Sequence, residues 1–443
     1  MTAPRYCVIG AGAAGLAALD ALLEAGFDVD CWERNATVGG HWHTDYESLH
    51  LITSRDVSGF VGFPMPAQYP VYPSRDQMRA YLQSFAEAKG LIDKIRFGVA
   101  VEEARPSGQQ GLDGWDVRTS DGATTHYDAV VVANGHLWDP NLPDFPGTFT
   151  GRSMHSSQYG SIDDLEGKRI LVIGSGNSGC DLAVDAANAR LDSSISVRRG
   201  QTFQPKAMFG RPRAELRWLG KLPLVLNERV SRLLVDIVVG KPSAYAGLPA
   251  PATRNLNKQP PVVNNLLLYW IHHGRITVVP GVTRFEGRTV HFADGSSREY
   301  DTVLFATGFN VSFPFLDHDM FTWRDGAPLR TAGMVLPVGV ENLYFIGLAA
   351  PRGPQPPVYS MQAALLVRML RIRERSGPPL ARHFAAIEPG ESRIDIIRKI
   401  WLKQMERAGR TLDQIERTLP PPPRSDRASR ALAGAAAGAG SAS

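Results

Sequence analysis

The chain is predicted to be an α/β protein made of two Rossmann-like dinucleotide-binding units, one inserted in the other. Three observations lead there. Two glycine-rich loops, Gly10-Ala11-Gly12-Ala13-Ala14-Gly15 and Gly174-Ser175-Gly176-Asn177-Ser178-Gly179, each follow a short apolar run. Each loop is followed at a distance by the same pair of elements: Asp121-Gly122 leads to Val130-Val131-Val132-Ala133-Asn134-Gly135, and Asp294-Gly295 leads, with equal spacing, to Val303-Leu304-Phe305-Ala306-Thr307-Gly308. A last apolar run, Asn342 to Gly347, again ends in glycine and needs a sheet to join.

The first unit reads as a strand at Tyr6–Ile9, a tight glycine turn, a helix through Leu16–Leu23 and a strand at Val29–Trp32 closed by Glu33. The second repeats this at Ile170–Ile173, Leu182–Ala189 and Ile195–Val197. Asp-Gly between apolar runs signals a hairpin. An apolar run closing on Ala-x-Gly predicts a buried parallel strand whose end brings its backbone to a ligand. Between about 205 and 265 lies a Pro-rich, partly helical insertion, with Leu222-Pro223 and Pro260-Pro261 among its breaks.

At 443 residues and 43% hydrophobic, the chain can fill two or three cores. Cys7, Cys31 and Cys180 form no C-x-x-C pair, which argues against a disulfide framework, a zinc site and a dithiol redox centre, and favours a reducing, cytoplasmic setting. No apolar run reaches membrane-helix length, and the start lacks the pattern of a signal peptide. The net charge of +4 is small, and Arg368–Arg375 reads as the solvated face of an amphipathic helix, so neither nucleic acid nor membrane is an expected partner. His41 and His43 lack further ligands at useful spacing, so no metal is expected. Nothing in the sequence signals oligomeric state.

In the first loop the glycines permit a tight turn against a pyrophosphate, and the following helix aims its free N–H groups there. Glu33, at a strand end, is placed for a ribose 2′-hydroxyl and would repel a 2′-phosphate. The second unit ends its strand in Ser196-Val197-Arg198-Arg199, suited to a 2′-phosphate, so NADPH is expected there over NADH. Between the loops stands Phe149-x-Gly151-x-x-x-His155-x-x-x-Tyr159, a linker motif at the crossing between the units. A lone His there reads as a satisfied structural residue rather than a base.

This order of two glycine loops around the spaced Phe/Gly/His/Tyr pattern resembles the flavin-containing monooxygenases, over about residues 5 to 375. The resemblance implies that the first ligand is FAD, with Gly39-Gly40-x-Trp42 at the flavin, and that the NADP domain is inserted in the FAD domain. The FAD site it implies comprises Gly10, Gly12, Ala14, Gly15, Glu33, Arg34, Gly40, Trp42, Val101, Ala133, Gly135 and Gln362. The NADP site comprises Gly174, Ser175, Gly176, Asn177, Ser178, Arg198, Arg199, Ala306, Thr307 and Gly308. The expected domains are 1–158 (first part of the FAD unit), 159–310 (NADP unit), 311–419 (return to the FAD unit and C-terminal helices) and a disordered tail over 420–443.

The resemblance also implies a mechanism in which NADPH reduces FAD, oxygen adds at flavin C4a, and a soft nucleophile attacks the hydroperoxide. The protein then supplies no acid, base or nucleophile, and no catalytic residue is assigned. Tyr159, where enzymes resembling the Baeyer–Villiger group carry Trp, points to oxygenation of nitrogen or sulfur in a small organic substrate. One position departs from the family: ungapped through Gly59, Phe60 and Phe63-Pro64, the asparagine that flanks the flavin falls on Ile52, which has no side-chain hydrogen bond to give. The stabilising contact then comes from elsewhere, Thr53 or Ser54 being the candidates, or is missing. Two alternatives stay open: an uncoupled NADPH oxidase releasing hydrogen peroxide, and a nucleotide-sensing flavoprotein without turnover.

Overall fold

A computed structural model describes residues 4–256 and 258–420; apart from Pro420, the tail expected over 420–443 lies outside the described residues. Two five-stranded parallel sheets organise the chain. In the first, Arg5–Ile9 lies between Asp28–Glu33 and Ala129–Val132, with Ile95–Phe97 outside the former and Leu343–Phe345 outside the latter. In the second, Arg169–Ile173 lies between Asp192–Ser196 and Thr302–Phe305, with Ile276–Val279 and Arg152–His155 at the edges.

The duplication read from sequence extends to the turns. Gly122 and Gly295 both sit at φ +85, a left-handed conformation that favours glycine, and each closes a hairpin within a three-stranded antiparallel sheet. The Asp121 and Asp294 carboxylates accept the backbone N–H two residues on, from Ala123 at 3.2 Å and Ser296 at 2.9 Å.

The late strand Leu343–Phe345 pairs with Ala129–Val132, so the chain returns to its first sheet after building the second. Arg152–His155, inside the linker motif, pairs with Thr302–Phe305, so the second sheet takes in residues before the expected start at 159. In each sheet the strand beside the central one, Ala129–Val132 or Thr302–Phe305, takes an outer neighbour, which comes from after the second unit in one case and from before it in the other.

Helix Pro356–Glu374 packs beside helix Ala13–Glu24 in the first core, under the C-terminal helix Arg398–Thr418. Its arginines are only partly the solvated face expected: Arg371 is exposed, while Arg368, Arg373 and Arg375 are half-buried. Arg368 reaches Asp413 at 2.6 Å and Glu416 at 3.0 Å, Arg373 pairs with Asp128 at 3.1 Å, and Arg371 lies 4.3 Å over the Phe27 ring. Long stems cross apolar surface while their charged ends meet acids on neighbouring elements. Arg330 is fully buried, and its guanidinium donates to the carbonyls of Pro328, Leu348, Ser392 and Arg393. The insertion carries helices Arg217–Lys221 and Leu224–Val238. No helix among the described residues is long and apolar enough to cross a membrane.

Candidate nucleotide sites

Both glycine loops lie at the carboxyl ends of their parallel strands, where open α/β sheets bind ligands. Within each loop the three glycines have different reasons to be glycine. Gly10 (φ +100) and Gly174 (φ +112) need the left-handed region, and a β-carbon there would come within 2.8 Å of the Ala133 carbonyl or 2.3 Å of that of Ala306. A β-carbon on Gly15 or Gly179 would collide with the first glycine's carbonyl, at 1.8 and 2.0 Å. The middle glycines are different. Around Gly12 only Gly40 Cα lies within 4 Å, at 3.8 Å, and around Gly176 nothing does. These face open space at the start of helices Ala13–Glu24 and Asn177–Asn188, neither of which has a side-chain cap. An uncapped first turn beside a cradle that a methyl group would fill fits a pyrophosphate.

Glu33 is buried at the end of its strand, and its carboxylate accepts from Ala11 N (2.7 Å) and from Asn35 N and Nδ2 (both 2.8 Å). Three of roughly four acceptor positions are therefore used by the chain itself, leaving one for a hydroxyl. Val99 N donates to the Glu33 carbonyl at 3.1 Å, which places the half-buried Val101 two residues beyond this edge. Arg34 is exposed and stacks 5.0 Å over the Trp138 ring. Gly40 starts a short 3-10 turn through His43, and Trp42 packs on the first core. Gly135 (φ +75) and the buried Ala133 follow the end of strand Ala129–Val132, beside the central one.

The returning strand completes the edge. A β-carbon on Gly347 would stand 2.7 Å from the Ala14 Cβ, so the return passes directly over the first helix. Gly347 N donates to Gln362 Oε1 at 3.0 Å. The buried Gln362 Nε2 has no partner among the described residues, an orphaned donor that fits a polar ligand. Ile52, Thr53 and Ser54 do not form a free polar trio. Ile52 is 42% exposed, Thr53 Oγ1 and Ser58 Oγ lie 2.7 Å apart, and the buried Ser54 hydroxyl donates to Glu215 of the insertion. Both hydroxyls offered from sequence in place of the asparagine that the resemblance implies are thus engaged within the chain.

At the second edge, Arg198 and Arg199 follow the strand end, both exposed and neither in an ion pair among the described residues. Ser175 is buried, and Asn177 Oδ1 accepts from Val263 N at 2.9 Å, tying the loop to the insertion. Ala306 N donates to the Ile173 carbonyl at 2.9 Å, Thr307 Oγ1 to the Asn141 carbonyl at 2.5 Å, and Gly308 adopts φ +85.

The linker motif docks onto this edge. His155 is buried, with Nε2 3.0 Å from the Gly308 carbonyl and Nδ1 2.9 Å from Ser157 Oγ, and burial lowers its pKa. Phe149 packs on Phe285, and Gly151 leaves no room for a β-carbon, which would fall 2.5 Å from the Asp301 carbonyl. Tyr159 is buried and donates to Asp185 at 3.3 Å.

His136, unread from sequence, follows Gly135 at the first edge. Burial pushes its pKa down to about 4, with His41 and Arg330 adding repulsion and the Gly347 backbone opposing it. Its signal was available: it is the next side chain after a strand-end glycine. His41 pairs with Asp45 at 2.5 Å, and His43 Nε2 lies 2.6 Å from the Val38 carbonyl.

Comparison with known proteins accounts for this arrangement. The model of the FMO-like family, flavin-binding monooxygenase-like, matches residues 3–398. The chain is 34% identical to indole-3-pyruvate monooxygenase YUCCA1 of Oryza sativa subsp. japonica, over 70% of this chain and 78% of that one. It is 29% identical to flavin-containing monooxygenase 3 of Canis lupus familiaris, over 83% of this chain and 74% of that one. Among solved structures, a flavin-containing monooxygenase from Stenotrophomonas maltophilia shares the fold at TM-score 0.64 and 22% identity, covering 84% of this chain and 98% of that one. Cyclohexanone monooxygenase does so at TM-score 0.68 and 18% identity, covering 93% and 99%. The chain belongs to the flavin-binding monooxygenase-like family and is an FAD- and NADPH-dependent oxidoreductase.

Proposed function

We propose that this NADPH-dependent monooxygenase transfers one oxygen atom from O2 to a nucleophilic nitrogen or sulfur of a small organic substrate. Tyr159 at the last position of the linker motif carries that choice, since the Baeyer–Villiger type resembled above has Trp there. Bound FAD supplies oxygen activation and NADPH the reducing equivalents. The residues of the chain bind and orient: Gly10, Gly12 and the first helix turn hold one pyrophosphate, Glu33 a ribose hydroxyl, and Gln362 Nε2 offers a free donor. Gly174, Gly176, Arg198 and Arg199 hold the other nucleotide and its 2′-phosphate. A soft nucleophile needs no general base, and His155, with both ring nitrogens engaged, is not posed as one.

On this reading the FAD unit comprises the residues before the linker and those from about 311 onward, and the NADP unit the stretch between, with Arg152–His155 assigned to the latter. Three buried, unpaired cysteines support a reducing, cytoplasmic setting.

A second reading has its own observation: the rice relative at 34% identity is named for indole-3-pyruvate, a 2-oxo acid. NADPH and O2 consumption, with product masses, across amines, thioethers, ketones and 2-oxo acids separates the two. N-oxides or S-oxides are expected. Product from 2-oxo acids alone would replace the first reading with the second, and peroxide equal to NADPH consumed with every compound would overturn both.

A further inference from the structure

The nine residues from Gly40 to Ser48 touch both nucleotide loops. At one end, the backbone of Gly40 abuts Gly12 in the first loop, a β-carbon on Gly40 lying 3.4 Å from the Gly12 Cα. The segment then winds through a 3-10 turn, held by His41 to Asp45 at 2.5 Å and by Arg75 Nη1 donating to the Asp45 carbonyl at 2.8 Å. At the other end it enters the second unit. Tyr46 is 3% exposed within the second core, and its hydroxyl donates to Asp181 Oδ2 at 2.8 Å. Glu47 N donates to the Gly160 carbonyl at 2.8 Å, and Ser48 Oγ to Asp185 Oδ2 at 2.5 Å.

Asp181 and Asp185 are four residues apart, on one face of the helix that begins at the second glycine loop. Both are otherwise anchored: Asp181 Oδ1 accepts from Asn264 Nδ2 at 2.7 Å, and Asp185 Oδ2 accepts from Tyr159 at 3.3 Å. Ser178, inside the loop itself, is a further partner of the Tyr46 hydroxyl. A buried phenol and two half-buried carboxylates, each with a partner across the boundary between units, make a contact that resists displacement, because a shift would leave the buried phenol unpaired.

We propose that Tyr46, acting through Asp181, is a positioning residue: the Gly40–Ser48 segment is a strut that sets the second nucleotide loop at a fixed offset from the first. The proposal rests on the assignment of the two loops to FAD and NADPH. Hydride transfer moves a proton and two electrons from NADPH to oxidised flavin, leaving NADP⁺ and reduced flavin. Its rate depends steeply on the approach of two rings held by separate units, and about 1 Å of misplacement can cost on the order of a hundredfold. The FAD site lies within the first unit and the NADP⁺ site within the second. Tyr46, Ser48 and Asp181 belong to neither set of binding residues, so they bear only on the relation between the two.

The test uses the FAD-loaded full chain and the variants Tyr46→Phe, Asp181→Ala, their double, and Ser48→Ala. Tyr46→Phe keeps the buried ring and loses only the hydroxyl. The readouts are FAD per chain, NADP⁺ affinity, thermal midpoint, and the rate of anaerobic flavin bleaching at saturating NADPH. FAD content and NADP⁺ affinity should stay within about twofold, while bleaching in Tyr46→Phe slows about ten- to a hundredfold. The double variant should be no slower than the slower single, since both remove one contact. Ser48→Ala, at the less buried end, should slow bleaching less. Bleaching per bound FAD at the wild-type rate in both Tyr46→Phe and Ser48→Ala would overturn the strut alone. A wild-type protein that holds FAD yet never bleaches with NADPH would overturn the loop assignment and the strut with it.

Discussion

Gly12 and Gly40 meet backbone to backbone across the first nucleotide loop, close enough that a β-carbon on Gly12 would touch the Gly40 Cα at 3.8 Å, an ordinary van der Waals contact. The chain therefore tolerates a methyl group at Gly12, whose φ of −71 and ψ of −177 any residue can adopt. Its neighbour three residues on does not, since a β-carbon on Gly15 would stand 1.8 Å from the Gly10 carbonyl.

That contrast makes a paired prediction. Gly12→Ala should give a folded protein with a thermal midpoint near wild type and much less bound FAD, because only the pyrophosphate objects to the methyl group. Gly15→Ala should instead lose stability by several kcal/mol, about 3 or more, whether or not FAD is added. Absorbance of bound flavin and calorimetry check both. Gly12→Ala retaining a full complement of FAD would place the pyrophosphate elsewhere.

Arg198 and Arg199 are exposed at the end of Asp192–Ser196 and pair with no carboxylate among the described residues. Neutralising the one that meets the 2′-phosphate should cost about 1.5–3 kcal/mol of NADPH binding, roughly ten- to a hundredfold, and leave NADH little changed. Steady-state kcat/KM for the two coenzymes in Arg198→Ala and Arg199→Ala reads this out. Equal efficiencies with NADH and NADPH in the wild type would contradict the assignment.

The two sheets and both glycine loops were legible in sequence because each rests on local rules: apolar strand, left-handed glycine, uncapped helix, hairpin. The return of Leu343–Phe345 to the first unit was expected only through the family resemblance, and the sheet membership of Arg152–His155 was not expected at all, since nothing local tells a strand which edge it will join. Glu33 was read correctly as a strand-end carboxylate, yet its bonds to Ala11 and Asn35 depend on how the loop curls back. The same limit hid Tyr46 and Asp181, 135 residues apart in the chain and joined only by folding. Arg368 and Arg373 show the converse error: charge along a helix looks solvated until the acids of other elements, Glu416 and Asp128, are brought against it.

His136 predicts a pH dependence. Burial lowers its folded pKa to about 4, below an unfolded value of about 6.5, so the native state resists protonation. The unfolded chain binds the extra proton first as pH falls, and stability is lost across the window from about 6.5 down to about 4. With the side chain half-buried and screened, the loss is about 1–2 kcal/mol rather than the full shift. Thermal midpoints of wild type and His136→Gln from pH 7 to 4.5 should converge at the acid end. Parallel curves would show that His136 titrates normally.

The ungapped reading of the sequence puts Ile52 where the resemblance implies an asparagine. The position expected beside the flavin holds a side chain without a hydrogen bond to give, 42% exposed, and the adjacent Thr53 and Ser54 hydroxyls are committed to Ser58 and Glu215. Reduction by NADPH precedes oxygen chemistry, so the missing contact should leave flavin bleaching untouched and appear later, as NADPH oxidised without substrate oxygenation. Ile52→Asn restores one donor and one acceptor. The expected gain is one hydrogen bond, on the order of 1 kcal/mol, so the share of turnover ending as hydrogen peroxide should fall by up to about fivefold while the anaerobic bleaching rate stays within about twofold. Peroxide per NADPH, measured with and without a thioether substrate, reads the first quantity, and stopped-flow absorbance the second. If wild type already couples NADPH oxidation fully to product and Ile52→Asn leaks more peroxide, the apolar side chain excludes water from a repacked pocket, and the view of Ile52 as a lost contact is wrong.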